Sequence, residues 1–299
     1  MRTLSAKGHA VPPLVDRVAA LTSGVLERLE AENAPDLASY VSGKTKDILV
    51  LIGRIAHEQS EADYPAMDED VRQRVLGDMF QLMVALSALG DVLKLAGRAL
   101  SSDGIRPPPK RRLGDRIDHF LDRTIQIPAN EIKHRGFDMG WLTLRSAFGV
   151  THGYTVSGRV GSKLNAPIKY RDKDKSSPDG YSFAYVLRNS VTALFGICDA
   201  LDAAFQASGC YVSPPPSPRS RAETSPAVTA AIAHINALPQ RGFFDERGLE
   251  VPILKQEDGT LTATMRRLRT HPPGTKVHFA LNSVAAGVTY KLPYWPKNP

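Results

Sequence analysis

The chain has 299 residues, which allows one large domain or two modest ones. Hydrophobic residues make up 42% of it and charged residues 23%, an ordinary globular composition that excludes a chain disordered or collagen-like throughout. The formal net charge is +7, and residues 210–299 carry +5 of it, which favours an anionic partner, nucleic acid before membrane.

The cysteine content and the hydropathy of the chain indicate a cytoplasmic protein. Two cysteines, Cys198 and Cys210, match no metal-ligand spacing and no disulfide framework. No apolar run reaches the roughly 18–20 residues of a membrane span, and residues 1–10 lack the hydrophobic core of a secretory signal. We therefore expect no membrane partner.

Three apolar stripes at helical spacing occupy the first hundred residues. They predict long helices packed in a bundle, and the third alternates spacings of four and three, as in helices that pack lengthwise. The stripes are Leu14, Val18, Leu21, Val25 and Leu29; Leu37, Val41, Ile48, Ile52 and Ile55; and Val75, Met79, Leu82, Leu86, Leu89 and Leu93.

A predicted loop at 101–109 is followed by a basic run, Lys110, Arg111 and Arg112. This run is either the solvent-exposed start of a helix or a contact to an anion. A helix then starts near Leu113. Pro128 must end or kink it, because proline lacks an amide proton, or else Pro128 opens a new short helix.

Between residues 141 and 170 the pattern changes to alternation, which predicts a strand pair inserted into the bundle. Helical spacing returns over 183–205 and ends at Gly209, a residue type suited to close a helix. The apolar positions of this helix are Phe183, Leu187, Val191, Leu194, Cys198, Leu201 and Phe205.

A proline-rich stretch at 210–226 predicts a linker, because five prolines lie among serines and arginines there. Beyond it, one short helix and several β-like runs separated by turn residues predict a small basic α+β module over 227–299. The expected fold class is mainly α: a helical bundle over 1–209 with a short inserted β-hairpin, followed by the linker and the C-terminal module.

Familiar catalytic motifs are missing from the sequence. Ser42 to Thr45 resembles the end of a phosphate-binding loop, but position 38 lacks the required glycine. His57 and Glu61 lie four residues apart on a predicted helix, yet no third metal ligand follows at a recognisable spacing, so surface salt-bridging is favoured. We expect no metal and no cofactor.

The segment 129–135 contains the one group of residues whose types and spacing suggest a catalytic or binding site. Asn130 precedes His134 by four residues, so the two side chains lie on one helix face beside Pro128. This segment resembles the HEPN superfamily (higher eukaryote and prokaryote nucleotide-binding domains), helical bundles whose RNA-cleaving members carry an arginine, a polar residue, three further residues and a histidine. Ala129 stands at the arginine position.

The resemblance implies an RNA- or nucleotide-binding protein in a bacterial toxin or anti-phage setting, with a homodimer through the bundle. Any enzymatic activity would be that of a metal-independent endoribonuclease, weakened or lost without the arginine. In that activity His134 would transfer protons and Asn130 would assist. Lys133 or Arg135 would supply positive charge, from positions that point off the face of Asn130 and His134. The alternative is that His134 belongs to a buried polar network near the helix end.

Arg266, Arg267 and Arg269 form a second basic cluster, on a predicted strand and turn near the aromatic residues of the C-terminus. Basic residues interleaved with aromatic ones can hold a phosphate backbone and stack bases. Equally, arginines on an exposed strand discourage edge pairing. The rival function is a non-enzymatic scaffold whose C-terminal module docks a protein partner.

Overall fold

The computed structural model describes most of the chain in a single set of helices and strands. The described residues are 2–5, 12–60, 68–99, 110–121, 125–135, 138–146, 149–160, 163–165, 180–212, 226–243, 246, 249–257, 260–267, 269–270 and 276–280.

Helices dominate the described residues, which confirms the mainly α fold class. The α-helices are α1 (Leu14–Arg17), α2 (Ser23–Ala31), α3 (Leu37–Ser60), α4 (Glu69–Ala99), α5 (Lys110–Leu121), α6 (Ile127–Arg135), α7 (Phe183–Ala207) and α8 (Pro226–Ala237). A short 3₁₀ helix, Val18–Ala20, follows α1 directly.

The strands form small sheets beside the bundle. They are β1 (Arg2–Ser5), β2 (Asp138–Ser146), β3 (Gly149–Val160), β4 (Lys163–Asn165), β5 (Gly180–Ser182), β6 (Arg241–Gly242), β7 (Glu250–Glu257), β8 (Thr260–Arg267), β9 (Arg269–Thr270) and β10 (Lys276–Ala280). The inserted hairpin is β2 and β3, paired antiparallel from Asp138 opposite Ser157 to Ser146 opposite Gly149. The prediction of a strand insertion is therefore confirmed.

The apolar stripes of the sequence are the core of the bundle. Every residue of the second and third stripes, on α3 and α4, is buried, and so are all seven apolar positions of α7. Helix α7 contacts α1, α3, α4 and α5, so it lies at the centre of the packing. Gly209 follows it with a φ of +64°, the left-handed conformation in which glycine commonly ends helices.

The first stripe is buried as expected, but it is not one helix. The chain leaves helical conformation at Leu21, which forms an isolated bridge with Tyr211, while the backbone N–H of Thr22 donates to the carbonyl of Cys210. Backbone hydrogen bonds to a segment about 190 residues away thus replace the intrahelical bonds here. The prediction of one continuous helix over this stripe is therefore wrong.

The strands of the C-terminal segment do not pair only with one another. Antiparallel β7 and β8 are joined by β1 from the N-terminus, with Arg2 opposite Ala263. Strand β10 instead joins the inserted hairpin, with Lys276 opposite Arg145 of β2. Residues 288–292, predicted as a further strand, lie outside the described residues.

Two buried charged side chains connect α7 with the C-terminal segment. Arg188 of α7 donates from Nη2 to the carbonyl of Leu238 at 3.1 Å, just beyond the end of α8, where a cation complements the helix dipole. The carboxylate of Glu246 accepts from the backbone N–H of Ser182, the N-cap residue of α7, at 2.8 Å. The division of the chain at 210–226 stays a prediction, since residues 213–225 lie outside the described ranges.

Among the helices of the described residues, α4 alone is long and apolar enough to cross a membrane. In this structure 56% of its apolar window is buried inside the protein, as expected for a core helix of a bundle. Both Cys198 and Cys210 are buried free thiols.

Candidate functional site

Helix α6 holds the residues that resemble the HEPN motif. Pro128 is buried near its start, where the π-helical residues Ile125 and Gln126 run directly into α6. Asn130, Lys133 and His134 are all exposed. Because Asn130 and His134 are four residues apart on a helix, their side chains are neighbours on its surface.

Exposure of His134 does not fit the interpretation that it belongs to a buried polar network. A solvent-accessible histidine next to an amide and an ammonium group can donate hydrogen bonds to a phosphate or a base edge. The exposed face of Asn130, Lys133 and His134 is called the α6 face below.

Ala129 is buried, although it directly precedes Asn130 and lies about one helical turn before Lys133. It is 0% exposed and belongs to the hydrophobic core, and α6 contacts α4 and β3. An arginine at this position would put a guanidinium into that core at a large desolvation cost. A buried alanine therefore stands, in this structure, at the position that matches the arginine of the resembled motif.

The other predicted basic residues lie on different elements. Arg266 and Arg267 end β8, Arg269 lies in β9, and all three are exposed. Lys110, Arg111 and Arg112 form the first turn of α5, and Arg135 is the last residue of α6. Of the C-terminal aromatic residues, those beyond residue 280 lie outside the described residues.

Arg241 is a basic residue of this region that the sequence analysis missed. In the parallel pair β6 and β9 it stands opposite Arg269, so two arginines are cross-strand neighbours. Nothing local in the sequence signals this pairing, because the two strands are two residues long and lie 28 positions apart. On the neighbouring ladder Glu250 stands opposite Arg267 and lowers the net charge there.

The inserted hairpin contains a row of hydrogen-bonded side chains that the sequence did not indicate: buried Trp141 and Thr143, and half-buried His152. Trp141 donates from Nε1 to Thr143 Oγ1 at 2.8 Å, and that hydroxyl lies 2.9 Å from His152 Nδ1. The hydroxyl can thus accept a hydrogen bond from the indole and donate one to the imidazole. Burial lowers the pKa of His152 to about 4, so the ring is neutral near pH 7.

We expect His152 to make the protein less stable in mild acid. Because its pKa is about 4 in the folded state and about 6.5 when unfolded, the unfolded chain binds more protons between these values, and stability falls as pH drops from 6.5 towards 4. At pH 5 the loss is on the order of 2 kcal/mol relative to pH 7.5. Urea unfolding at both pH values measures it. The same pH dependence in His152→Gln would contradict this assignment.

Among the described residues, no group of three or more His, Cys, Asp or Glu side chains could hold a metal ion. Glu61, the predicted partner of His57, lies outside the described ranges. Lys44 and Thr45, of the rejected phosphate-binding segment, lie inside α3, where Thr45 is buried.

Comparisons with known proteins found no relative of this chain. No protein-family model matches the chain, and neither a curated protein nor a solved structure matches it.

Proposed function

We propose that this protein binds RNA through the α6 face without cleaving it. The observation that carries the proposal is the division of one helix: Asn130, Lys133 and His134 are exposed together, whereas Ala129 is buried at the family's arginine position. A phosphate backbone can be held by the ammonium and the imidazole, and the amide can pair with a base edge.

The setting of this function follows from the same resemblance. We place it in the cytoplasm, in a bacterial toxin or anti-phage system, with a homodimer formed through the helical bundle. Net charge supports an anionic ligand, because the whole chain carries +7. Identification of nucleic acid that copurifies with the protein, and sedimentation measurement of its mass, test the ligand and the dimer separately.

The central experiment measures binding of a fluorescent single-stranded RNA to wild type and to Lys133→Glu. We expect the substitution to weaken binding about tenfold, because it replaces an attraction to phosphate with a repulsion. Raising the salt concentration should weaken wild-type binding steeply, since bound phosphates release counterions. The matched control is Lys46→Glu, which makes the same charge change at an exposed position of α3.

Two outcomes would contradict the proposal. Equal weakening of RNA binding by Lys133→Glu and Lys46→Glu would show that the affinity depends only on the net charge of the protein. Cleavage of the RNA by wild type, abolished in His134→Ala, would show a nuclease that needs no arginine at position 129.

A scaffold function is the second candidate, and one observation favours it. Met265 on β8 is 49% exposed beside the exposed Arg266, a pairing of apolar and charged surface that suits a protein partner. A protein complex that survives high salt, in a chain that binds no RNA, would support this function instead.

A further inference from the structure

The contact between α3 and α8 brings two histidines together that are 177 positions apart in the chain. The helices approach closely at Gly53, where an added Cβ would lie 3.3 Å from the Cβ of Ala231. About one turn further along each helix stand His57 and His234. Their ring centroids are 4.7 Å apart, with the ring planes tilted by 60°. Small residues at the close approach therefore set the two imidazoles side by side.

Two imidazoles at this separation suit a shared metal ion. A tetrahedral ion at about 2.0–2.1 Å from one nitrogen of each ring would place the ring centroids roughly 5 Å apart, close to the observed separation. Neutral imidazole is a ligand that Zn²⁺, Cu²⁺ and Ni²⁺ favour, whereas Mg²⁺ and Ca²⁺ favour oxygen. His57 is exposed, so an ion can reach the pair from solvent.

We propose that His57 and His234 together bind one divalent transition-metal ion, which ties α8 to α3. No third His, Cys, Asp or Glu joins the pair among the residues that the structure describes, so the two imidazoles are the ligands of this proposal. Of the nearby charged groups on α3, Arg54 is paired with Asp78 and Glu58 with Arg74, so those contacts hold without the ion.

The bound ion would act as a removable link between distant parts of the chain. Helix α8 follows the proline-rich stretch, and α3 belongs to the first half of the bundle. An ion that binds the folded state and not the unfolded one stabilises the protein by mass action. The proposal does not depend on RNA binding, because α3 and α8 are different helices from α6.

The test uses the full chain with Zn²⁺ as the probe. Calorimetric titration should find one site, and Zn²⁺ at a hundred times its dissociation constant should raise Tm by about 4–8 °C. His57→Asn and His234→Asn should each weaken binding at least tenfold and lose most of this shift. The matched control is His119→Asn, an exposed histidine of α5 that should bind Zn²⁺ as wild type does.

A second measurement covers the case in which a substitution unfolds the protein. Electron paramagnetic resonance of Cu²⁺ bound to wild type should show hyperfine coupling to two imidazole nitrogens. A spectrum with one nitrogen or none would overturn the proposal. So would Zn²⁺ binding that is equally strong in wild type and in either histidine variant.

Discussion

Replacing Glu246 with alanine is expected to lower the free energy of unfolding by about 3–5 kcal/mol. The carboxylate is completely buried. Its Oε1 accepts from the backbone N–H of Ser182 and its Oε2 from that of Phe243, both at 2.8 Å. Alanine leaves two buried amide protons without their acceptor, and each such group costs about 1–3 kcal/mol. Urea unfolding of the two proteins measures the difference.

Two further variants show whether the carboxylate oxygens are the cause. Glu246→Gln keeps the side-chain volume and one acceptor oxygen, so about half of the loss should remain. Glu250→Ala removes an exposed carboxylate from β7 and should change stability by less than about 0.5 kcal/mol. If Glu246→Ala were as mild as Glu250→Ala, the two amide protons would not depend on this side chain.

Replacing Gly153 with alanine is expected to cost about 3 kcal/mol or more, because the structure has no space for a methyl group there. An added Cβ would lie 2.0 Å from the carbonyl oxygen of Tyr181 and 2.7 Å from the ring of Phe243. The first of these atoms belongs to the backbone of β5, which pairs with β3 and cannot move aside without breaking that pairing. Thermal unfolding should show a large fall in Tm.

The matched substitution is Gly43→Ala. Gly43 lies inside α3, and an added Cβ would meet nothing within 4 Å. Because alanine has the higher helix propensity, this variant should gain about 0.5–1 kcal/mol of stability. A Gly153→Ala protein that is as stable as wild type would show that β3 and β5 are further apart than the structure has them.

Both predictions concern the point where β5 leads into α7. Ser182 ends β5, stands opposite Gly153 and is the N-cap of α7, where its hydroxyl accepts from the backbone N–H of Tyr185. Its own backbone N–H is held by Glu246, 64 positions later. The central helix of the bundle is therefore anchored at its start by the inserted hairpin and by the C-terminal segment together.

The candidate site could be predicted in part. The four-residue spacing of Asn130 and His134 places them on one helix face whatever the rest of the chain does. Which face of α6 meets the core was decided by packing against α4 and β3, and it buries Ala129. The pairing of Arg241 with Arg269 had no sequence signal, because it needs two short strands from separate parts of the chain.

Apolar spacing over a few turns depends only on near neighbours, so the helical class and the core stripes of α3, α4 and α7 were predictable from the amino-acid sequence. Which distant segments meet was set by packing in three dimensions. Strand β1 joins β8, β10 joins the hairpin, and His57 lies beside His234. Such contacts arise from backbone hydrogen bonds and close packing between segments more than a hundred residues apart. The apolar periodicity of the sequence does not predict these contacts, because each segment by itself is compatible with many partners.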